Sequence, residues 1–152
     1  MLDHRKTKFQ HQKDFNGCGV ACLAGLLGRS YDQVKRDFEK KFYTTEKVVL
    51  VHDIVKYLEF HDLEYRSKFF NRNKENKAVK KEAELFSKIE GSITLIVKSQ
   101  RYPLGHYLLR VKGGWVDPWY NMPRIDNVQA GLRRRLPDAP WYVIYPIAKE
   151  PG

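Results

Sequence analysis

The chain has 152 residues, of which 42% are apolar and 13% aromatic, and its formal net charge at pH 7 is +10. This length and this apolar content are sufficient for one hydrophobic core, so a single domain covering residues 1–152 is expected. Only two cysteines are present, four residues apart, which excludes a disulfide-stapled scaffold. Both thiols are therefore expected to be free.

The N-terminal segment MLDHRKTKFQHQKD is charged and lacks the apolar stretch of a signal peptide. No later segment reaches the roughly 20 apolar residues that a membrane span requires. We therefore expect no membrane span, and a protein that is cytoplasmic or exported without a conventional signal peptide.

The positive charge favours acidic partners, which include nucleic acid, an anionic membrane surface and an acidic protein. Basic residues are spread along the whole chain, and the only dense run is Arg133-Arg134-Arg135. Such a spread is more typical of solvated helix faces than of a nucleic-acid site. The charge alone therefore describes association and leaves the chemistry open.

The first predicted helix covers residues 18–27, which are apolar on nearly every side and therefore indicate a central, buried helix. Gly28 supplies its stop signal. Ser30, followed three positions later by Gln33, is a capping-box pattern that begins a second helix. The apolar residues of this second helix repeat at four-residue spacing: Val34, Phe38 and Phe42.

A third helix is predicted at about 48–60 and a polar, Lys-rich helix at about 78–90. The residues of the third helix expected to face inward are Leu50, Ile54, Val55 and Leu58. Segments rich in β-branched and aromatic residues predict strands at 63–70, 92–99, 106–119 and 141–147, with Gly113-Gly114 as a hairpin turn. Helices followed by antiparallel strands indicate an α+β fold, with N-terminal helices packed on an antiparallel sheet.

Cys18 lies between two glycines, at the point where a polar stretch becomes the first apolar helix. Asn16 or Gly17 can act as N-cap, which places Cys18 in the first helical turn. There, unpaired backbone N–H groups and the helix dipole favour an anion such as a thiolate. The flanking glycines leave room for a substrate carbonyl. The alternative is a structural thiol, which is the role expected of Cys22 one turn further along.

A thiolate nucleophile requires a base and a group that orients the base. Of the five histidines, only His106 begins a predicted strand, and Asp117 follows 11 residues later, before Pro118. Together with Cys18, these residues predict a Cys-His-Asp triad.

The predicted hairpin register presents one geometric difficulty. A two-residue turn at Gly113-Gly114 would pair Asp117 with Arg110, on the order of 13 Å along the strand from His106 at about 3.3 Å per residue. The even offset keeps both side chains on one face. A wider loop near Val111 and Lys112, or a bulge, would bring them together.

The segment QKDFNGCGVACLAGLLG resembles the start of the bacteriocin-leader-processing (double-glycine) cysteine peptidase domains, which are bacterial and papain-like. Their signature is a Gln and then Cys-Gly-x-Ala-Cys-Leu, and their catalytic His and Asp lie on a later hairpin. The resemblance implies that Cys18 is the nucleophile, His106 the base and Asp117 its orienting residue. It further implies that Gln12 is the side-chain donor of the oxyanion hole. The segment MPRIDNVQAGLRRRLP has no counterpart in this pattern.

These residues predict a cysteine hydrolase that cleaves peptide or isopeptide bonds through a thioester. Its substrate would be a protein or peptide, and the positive net charge favours an acidic one. The same residues serve a papain-like deamidase or acyltransferase effector or toxin. A second class is a basic module that binds nucleic acid or an acidic protein. No cofactor is expected, and the CxxxC spacing of Cys18 and Cys22 is a weak signal for a metal site. The oligomeric state stays open.

Overall fold

The computed structural model describes residues 9–14, 16–41, 49–70, 76–96, 105–122 and 124–151. Within these ranges, the elements in chain order are α1 (Cys18–Leu27), α2 (Tyr31–Lys41), α3 (Val51–Phe60), β1 (Tyr65–Phe69), α4 (Lys77–Ser87), β2 (Ile93–Ile96), β3 (His106–Val111), β4 (Gly114–Asp117), β5 (Gly131–Arg133), β6 (Pro140–Pro146) and a 3-10 turn (Ile147–Lys149). The protein therefore has an α+β fold, as its sequence predicts.

The six strands form one antiparallel sheet in the order β1-β6-β2-β3-β4-β5. Helices cover both faces of this sheet. Successive residues of a strand point to opposite sides, so neighbouring residues of one strand pack against different helices. On β6, Ile144 belongs to the main core with α1, α2 and α3, whereas Val143 and Tyr145 pack with Ala83 and Phe86 of α4. The three N-terminal helices thus share one face, and α4 covers the other.

Helix α1 is the centre of the main core, and its bounds are those predicted. Every residue from Cys18 to Leu26 is buried, which agrees with an apolar surface on all sides of the helix. The helix ends at Gly28, which has a φ of 65° and donates its backbone N–H to the carbonyl oxygen of Ala24. Replacing Leu23, which has no exposed surface, by alanine would cost about 2–5 kcal/mol of stability.

The predicted capping box at the start of α2 is confirmed. The backbone N–H of Ser30 donates to Gln33 Oε1 at 3.1 Å, and the backbone N–H of Gln33 donates to Ser30 Oγ at 3.1 Å. Val34 and Phe38 are buried as expected. Phe42 lies outside the described residues.

Helix α3 begins at Val51, three positions later than predicted, and one of its expected inward residues is wrong. Leu50 is 62% exposed, because it caps the helix in an extended conformation and does not lie on its inner face. Ile54 and Leu58 are buried, and Val55 packs partly against the core. No helix among the described residues is long and apolar enough to cross a membrane.

All four predicted β segments contain strands, but the hairpin turn lies one residue earlier than expected. Val111 pairs with Gly114, so the two turn residues are Lys112 and Gly113, and the predicted Gly113-Gly114 turn is wrong. Gly113 has a φ of 91°, a left-handed conformation that favours glycine. Strand β5, which pairs with β4, was not predicted at all.

Candidate active site

The three predicted triad residues lie together at the junction of α1 with one end of the β3–β4 hairpin. Cys18 begins α1, His106 begins β3 and Asp117 ends β4. His106 Nε2 is 2.6 Å from Asp117 Oδ1. Cys18 lies close enough to His106 to contribute, together with Asp117, to raising the pKa of the imidazole. His106 therefore engages Asp117 through Nε2 and lies beside Cys18.

The observed register removes the geometric difficulty that the sequence raised. Leu109 pairs with Val116 and Val111 with Gly114, so the same register brings Asp117 opposite Leu108. His106 is then only two residues from that position and on the same face of the sheet. Diagonal neighbours of this kind lie within reach of long side chains. An earlier turn, rather than a wider loop or a bulge, therefore closes the His106–Asp117 contact.

Asp117 is completely buried, and each of its carboxylate oxygens accepts a hydrogen bond from the protein. Oδ1 accepts the backbone N–H of Trp119 at 2.9 Å as well as facing His106, and Oδ2 accepts Arg133 Nε at 2.6 Å. A buried carboxylate is stable only when it is paired and hydrogen-bonded. The backbone of Trp119 and the side chain of Arg133 thus hold the Asp117 carboxylate in place.

Arg133 is a site residue that the sequence did not reveal. It lies on β5 opposite Trp115, so it approaches Asp117 as a diagonal neighbour from the other side of β4. Its Nη2 donates to the carbonyl oxygen of Tyr120 at 3.2 Å, and its Cζ is 4.4 Å from the centre of the Tyr120 ring. The only sequence signal was the triple-arginine run, which does not distinguish one arginine from its neighbours.

The charges of this network raise the pKa of His106. Burial alone lowers that pKa, but hydrogen bonds with Asp117 and Cys18, and the negative charges of both groups, outweigh burial and bring it from 6.5 to about 9. The imidazole is therefore protonated at neutral pH.

Cys22 differs from Cys18 in position and in chemistry, and its predicted core role is confirmed. It is 2% exposed within the main core. Burial, followed by the negative charges of Cys18 and Asp117, raises the pKa of its thiol well above the ordinary value. Cys22 is therefore a neutral thiol at physiological pH. In the described ranges, no group of three or more His, Cys, Asp or Glu side chains is arranged to hold a metal ion.

Gln12 is buried beside the triad, although its neighbourhood in the sequence is polar. It is 2% exposed, and its backbone N–H donates to the carbonyl oxygen of Pro118 at 3.1 Å, directly after Asp117. Its side-chain Nε2 donates to the carbonyl oxygen of Asp14 at 3.0 Å. The N-terminal segment thus folds back onto the end of β4.

Asp14 fixes the turn between Gln12 and Cys18, and the sequence did not predict this role. Its carbonyl oxygen also accepts the backbone N–H of Gly17 at 3.0 Å, and its carboxylate accepts Tyr31 Oη at 2.7 Å and Lys35 Nζ at 3.0 Å. A side chain at Gly17 would collide with the Tyr31 hydroxyl, so this close approach requires glycine. Helix α2 thereby holds the segment that leads into Cys18.

An apolar cavity of about 530 Å³ lies next to the site, between the start of α3 and the sheet. Val49 and Tyr107, two of its lining residues, both lie against Gly19, which follows Cys18. Tyr107 also follows His106 directly and donates its hydroxyl to the carbonyl oxygen of Val49 at 2.8 Å. The remaining lining residues are Leu50, Val51, His52, Val55, Ser67, Leu95, Trp141 and Tyr142.

Arg133→Gln is expected to lower the free energy of unfolding by about 1.5–3 kcal/mol, because Asp117 loses a charged hydrogen-bond partner while it stays buried. Loss of the nearby positive charge should also raise the pKa of His106 further. The pH dependence of Cys18 alkylation by iodoacetamide, together with urea unfolding, measures both effects. Arg134→Gln, at an exposed neighbouring position, is the matched control. Equal behaviour of the two variants would contradict the positioning role of Arg133.

Comparison with known proteins assigns no family to this geometry. No family model matches the chain, and no curated protein or solved structure matches it. The arrangement of Cys18, His106, Asp117 and their partners is therefore the basis for assigning a function.

Proposed function

We propose that this protein is a cysteine hydrolase with a papain-like fold, which cleaves peptide or isopeptide bonds. The observation that carries the proposal is the 2.6 Å contact between His106 Nε2 and Asp117 Oδ1, with Cys18 beside the same imidazole. A thiol at the first turn of a buried helix, a base and a buried orienting carboxylate are the three parts that nucleophilic thiol catalysis requires.

The first half of the reaction forms a thioester. The Cys18 thiolate attacks the substrate carbonyl carbon, and the carbonyl oxygen takes up the negative charge. His106, protonated at neutral pH because its pKa is about 9, transfers its proton to the leaving amine as the carbon–nitrogen bond breaks. The products are a free amine, an acyl-Cys18 thioester and a neutral imidazole.

The second half uses the same imidazole as a base. His106 takes a proton from water, the resulting hydroxyl attacks the thioester carbonyl, and the carbon–sulfur bond breaks. The carboxylic acid leaves, and the thiolate–imidazolium pair is restored. Asp117, held by Arg133 and the Trp119 backbone, keeps the imidazole oriented through both halves.

The negative charge on the substrate oxygen has two candidate donors. The N–H groups of the first turn of α1 have no acceptor inside the helix, because the first helical bond joins Ala21 N–H to the Gly17 carbonyl oxygen. Gln12 Nε2 carries two N–H groups, and the bond with the Asp14 carbonyl fixes the orientation of the amide. Both belong to the segment around Cys18.

A peptide-library digest tests the proposed reaction. A proteome-derived peptide mixture is incubated with the protein, and new termini are sought by mass spectrometry. We expect cleavage products that disappear when the protein is first treated with iodoacetamide. Conversion of glutamine to glutamate without new termini would assign the site to a deamidase. A mixture left unchanged, with and without iodoacetamide, would contradict both reactions.

Gln12→Ala is expected to lower kcat by roughly 10²- to 10³-fold at nearly constant KM, because an oxyanion donor acts mainly in the transition state. The alkylation rate of Cys18 should be unchanged. Steady-state kinetics on a peptide from the library digest measures the effect. Gln10→Ala, two residues earlier, is the control and should retain full activity. Full activity of Gln12→Ala, or an equal loss in the control, would refute the oxyanion role.

A further inference from the structure

A second cavity, of about 780 Å³, lies on the face of the sheet opposite α1, α2 and α3. It is bounded by α4, by residues 134–139, which connect β5 to β6, and by Pro140 at the start of β6. Trp115 and Val116 are successive residues of β4, and Val116 belongs to the main core while Trp115 belongs to a separate cluster. This cavity is therefore separated from the main core by the sheet itself.

The charged residues of this second cavity are mostly basic. Lys80 and Lys88 line it from α4, and Arg134 and Arg135 line it from the β5–β6 connection, against two carboxylates, those of Glu84 and Asp138. All four cations are exposed. None of them forms an ion pair with any residue that the structure describes. The lining of the cavity therefore carries more positive than negative charge.

The interior of the cavity is apolar, which distinguishes it from a simple basic surface. The apolar lining residues are Phe70, Val79, Ala83, Trp115, Leu136 and Pro140. A volume of this size accommodates several side chains. A ligand that fills the cavity would therefore present apolar groups inward and negative groups at the rim.

The triple-arginine run is divided between the two sites. Arg133 bonds to Asp117 in the triad network, whereas Arg134 and Arg135 line the second cavity. Arg134 and Arg135 have no part in the proposed reaction. They place two positive charges at the second cavity.

We propose that the second cavity binds an acidic segment of a partner protein, with apolar side chains inserted between its Asp and Glu residues. Four cations complement the acidic groups, and the apolar interior receives the anchors. Glu84 and Asp138 would repel the unbroken phosphate backbone of a nucleic acid, but a peptide can place its apolar groups against them. A peptide therefore fits this cavity better than nucleic acid does.

Fluorescence anisotropy with a fluorescein-labelled peptide of Glu-Glu-Leu repeats tests this proposal. The measurement uses the full chain with Cys18→Ala, so that no turnover occurs and the result does not depend on the proposed hydrolase activity. The double variants Lys80→Gln/Lys88→Gln and Arg134→Gln/Arg135→Gln should each weaken binding by about three- to tenfold. Ala139→Trp, at an exposed lining position, should weaken binding by obstructing the cavity without changing charge.

Lys40→Gln/Lys56→Gln is the matched control, because it removes two exposed charges from α2 and α3 on the other face. This variant should bind within about twofold of the parent. An equal loss in the control, or equal binding of a peptide with Gln in place of Glu, would overturn the proposal. Absence of binding of the acidic peptide would also overturn the proposal. If oligothymidylate binds more tightly than the acidic peptide, and the same cavity variants weaken its binding, the site would be assigned to nucleic acid.

Discussion

Cys18→Ala is expected to abolish hydrolysis, lowering kcat by about 10⁴-fold or more, because no other group in the proposed mechanism can form the acyl intermediate. The variant should fold normally. Cys18 is the first residue of α1, and the change removes only the thiol group. Activity on a peptide from the library digest, together with the thermal unfolding midpoint, measures both expectations.

Cys22→Ala is the matched control for Cys18→Ala, since it makes the same chemical change one helical turn away. Cys22 lies in the core, so this variant should lose about 1–2 kcal/mol of stability and keep its activity at temperatures where it is folded. Residual hydrolysis by Cys18→Ala, or a loss of activity in Cys22→Ala alone, would show that Cys18 is not the nucleophile.

His106→Ala is expected to lower kcat by about 10³-fold or more, because the imidazole donates the proton to the leaving amine and later removes one from water. The same change removes the cation beside Cys18, so alkylation of that thiol should also slow. His11→Ala, at an exposed position of the N-terminal segment, is the control and should change neither rate. Unchanged alkylation in His106→Ala would show that the imidazole does not activate the thiol.

The pH dependence follows from the raised pKa of His106. Because the pKa in the folded protein is about 9 and the ordinary value is 6.5, folding favours the protonated form. The resulting stabilisation is complete below about 6.5 and is lost as pH rises through about 9. Hydrolysis should decline over the same upper range, since formation of the thioester requires the imidazolium. Neither effect should be present in His106→Ala.

The sequence predicts the elements whose signals are local. The bounds of α1 follow from an uninterrupted apolar segment and a following glycine, and the start of α2 follows from a capping box. Cys18 and His106, two of the three predicted triad residues that lie together in the structure, also have local signals, a thiol at a helix start and a histidine at a strand start. These features require no knowledge of which strands are neighbours.

The features that the sequence did not predict depend on which strands and helices are neighbours in the folded protein. The segment Lys112-Gly113-Gly114 permits two turn positions, and only the pairing of β3 with β4 selects the one that brings His106 to Asp117. Arg133 reaches Asp117 only because the three-residue strand β5 pairs with β4, and so short a strand has no detectable alternation. The role of Asp14 likewise depends on the approach of Tyr31 from α2.

The most direct test of the activated thiol compares the alkylation of Cys18 in the folded chain with that of the same residue in urea. Iodoacetamide labelling at pH 6, followed by mass spectrometry of the Cys18 peptide, gives both rates. If His106 activates Cys18, the folded chain should react at least about tenfold faster, although this thiol is only 7% exposed. A folded chain that reacts more slowly than the unfolded one would show a buried structural thiol and contradict the account.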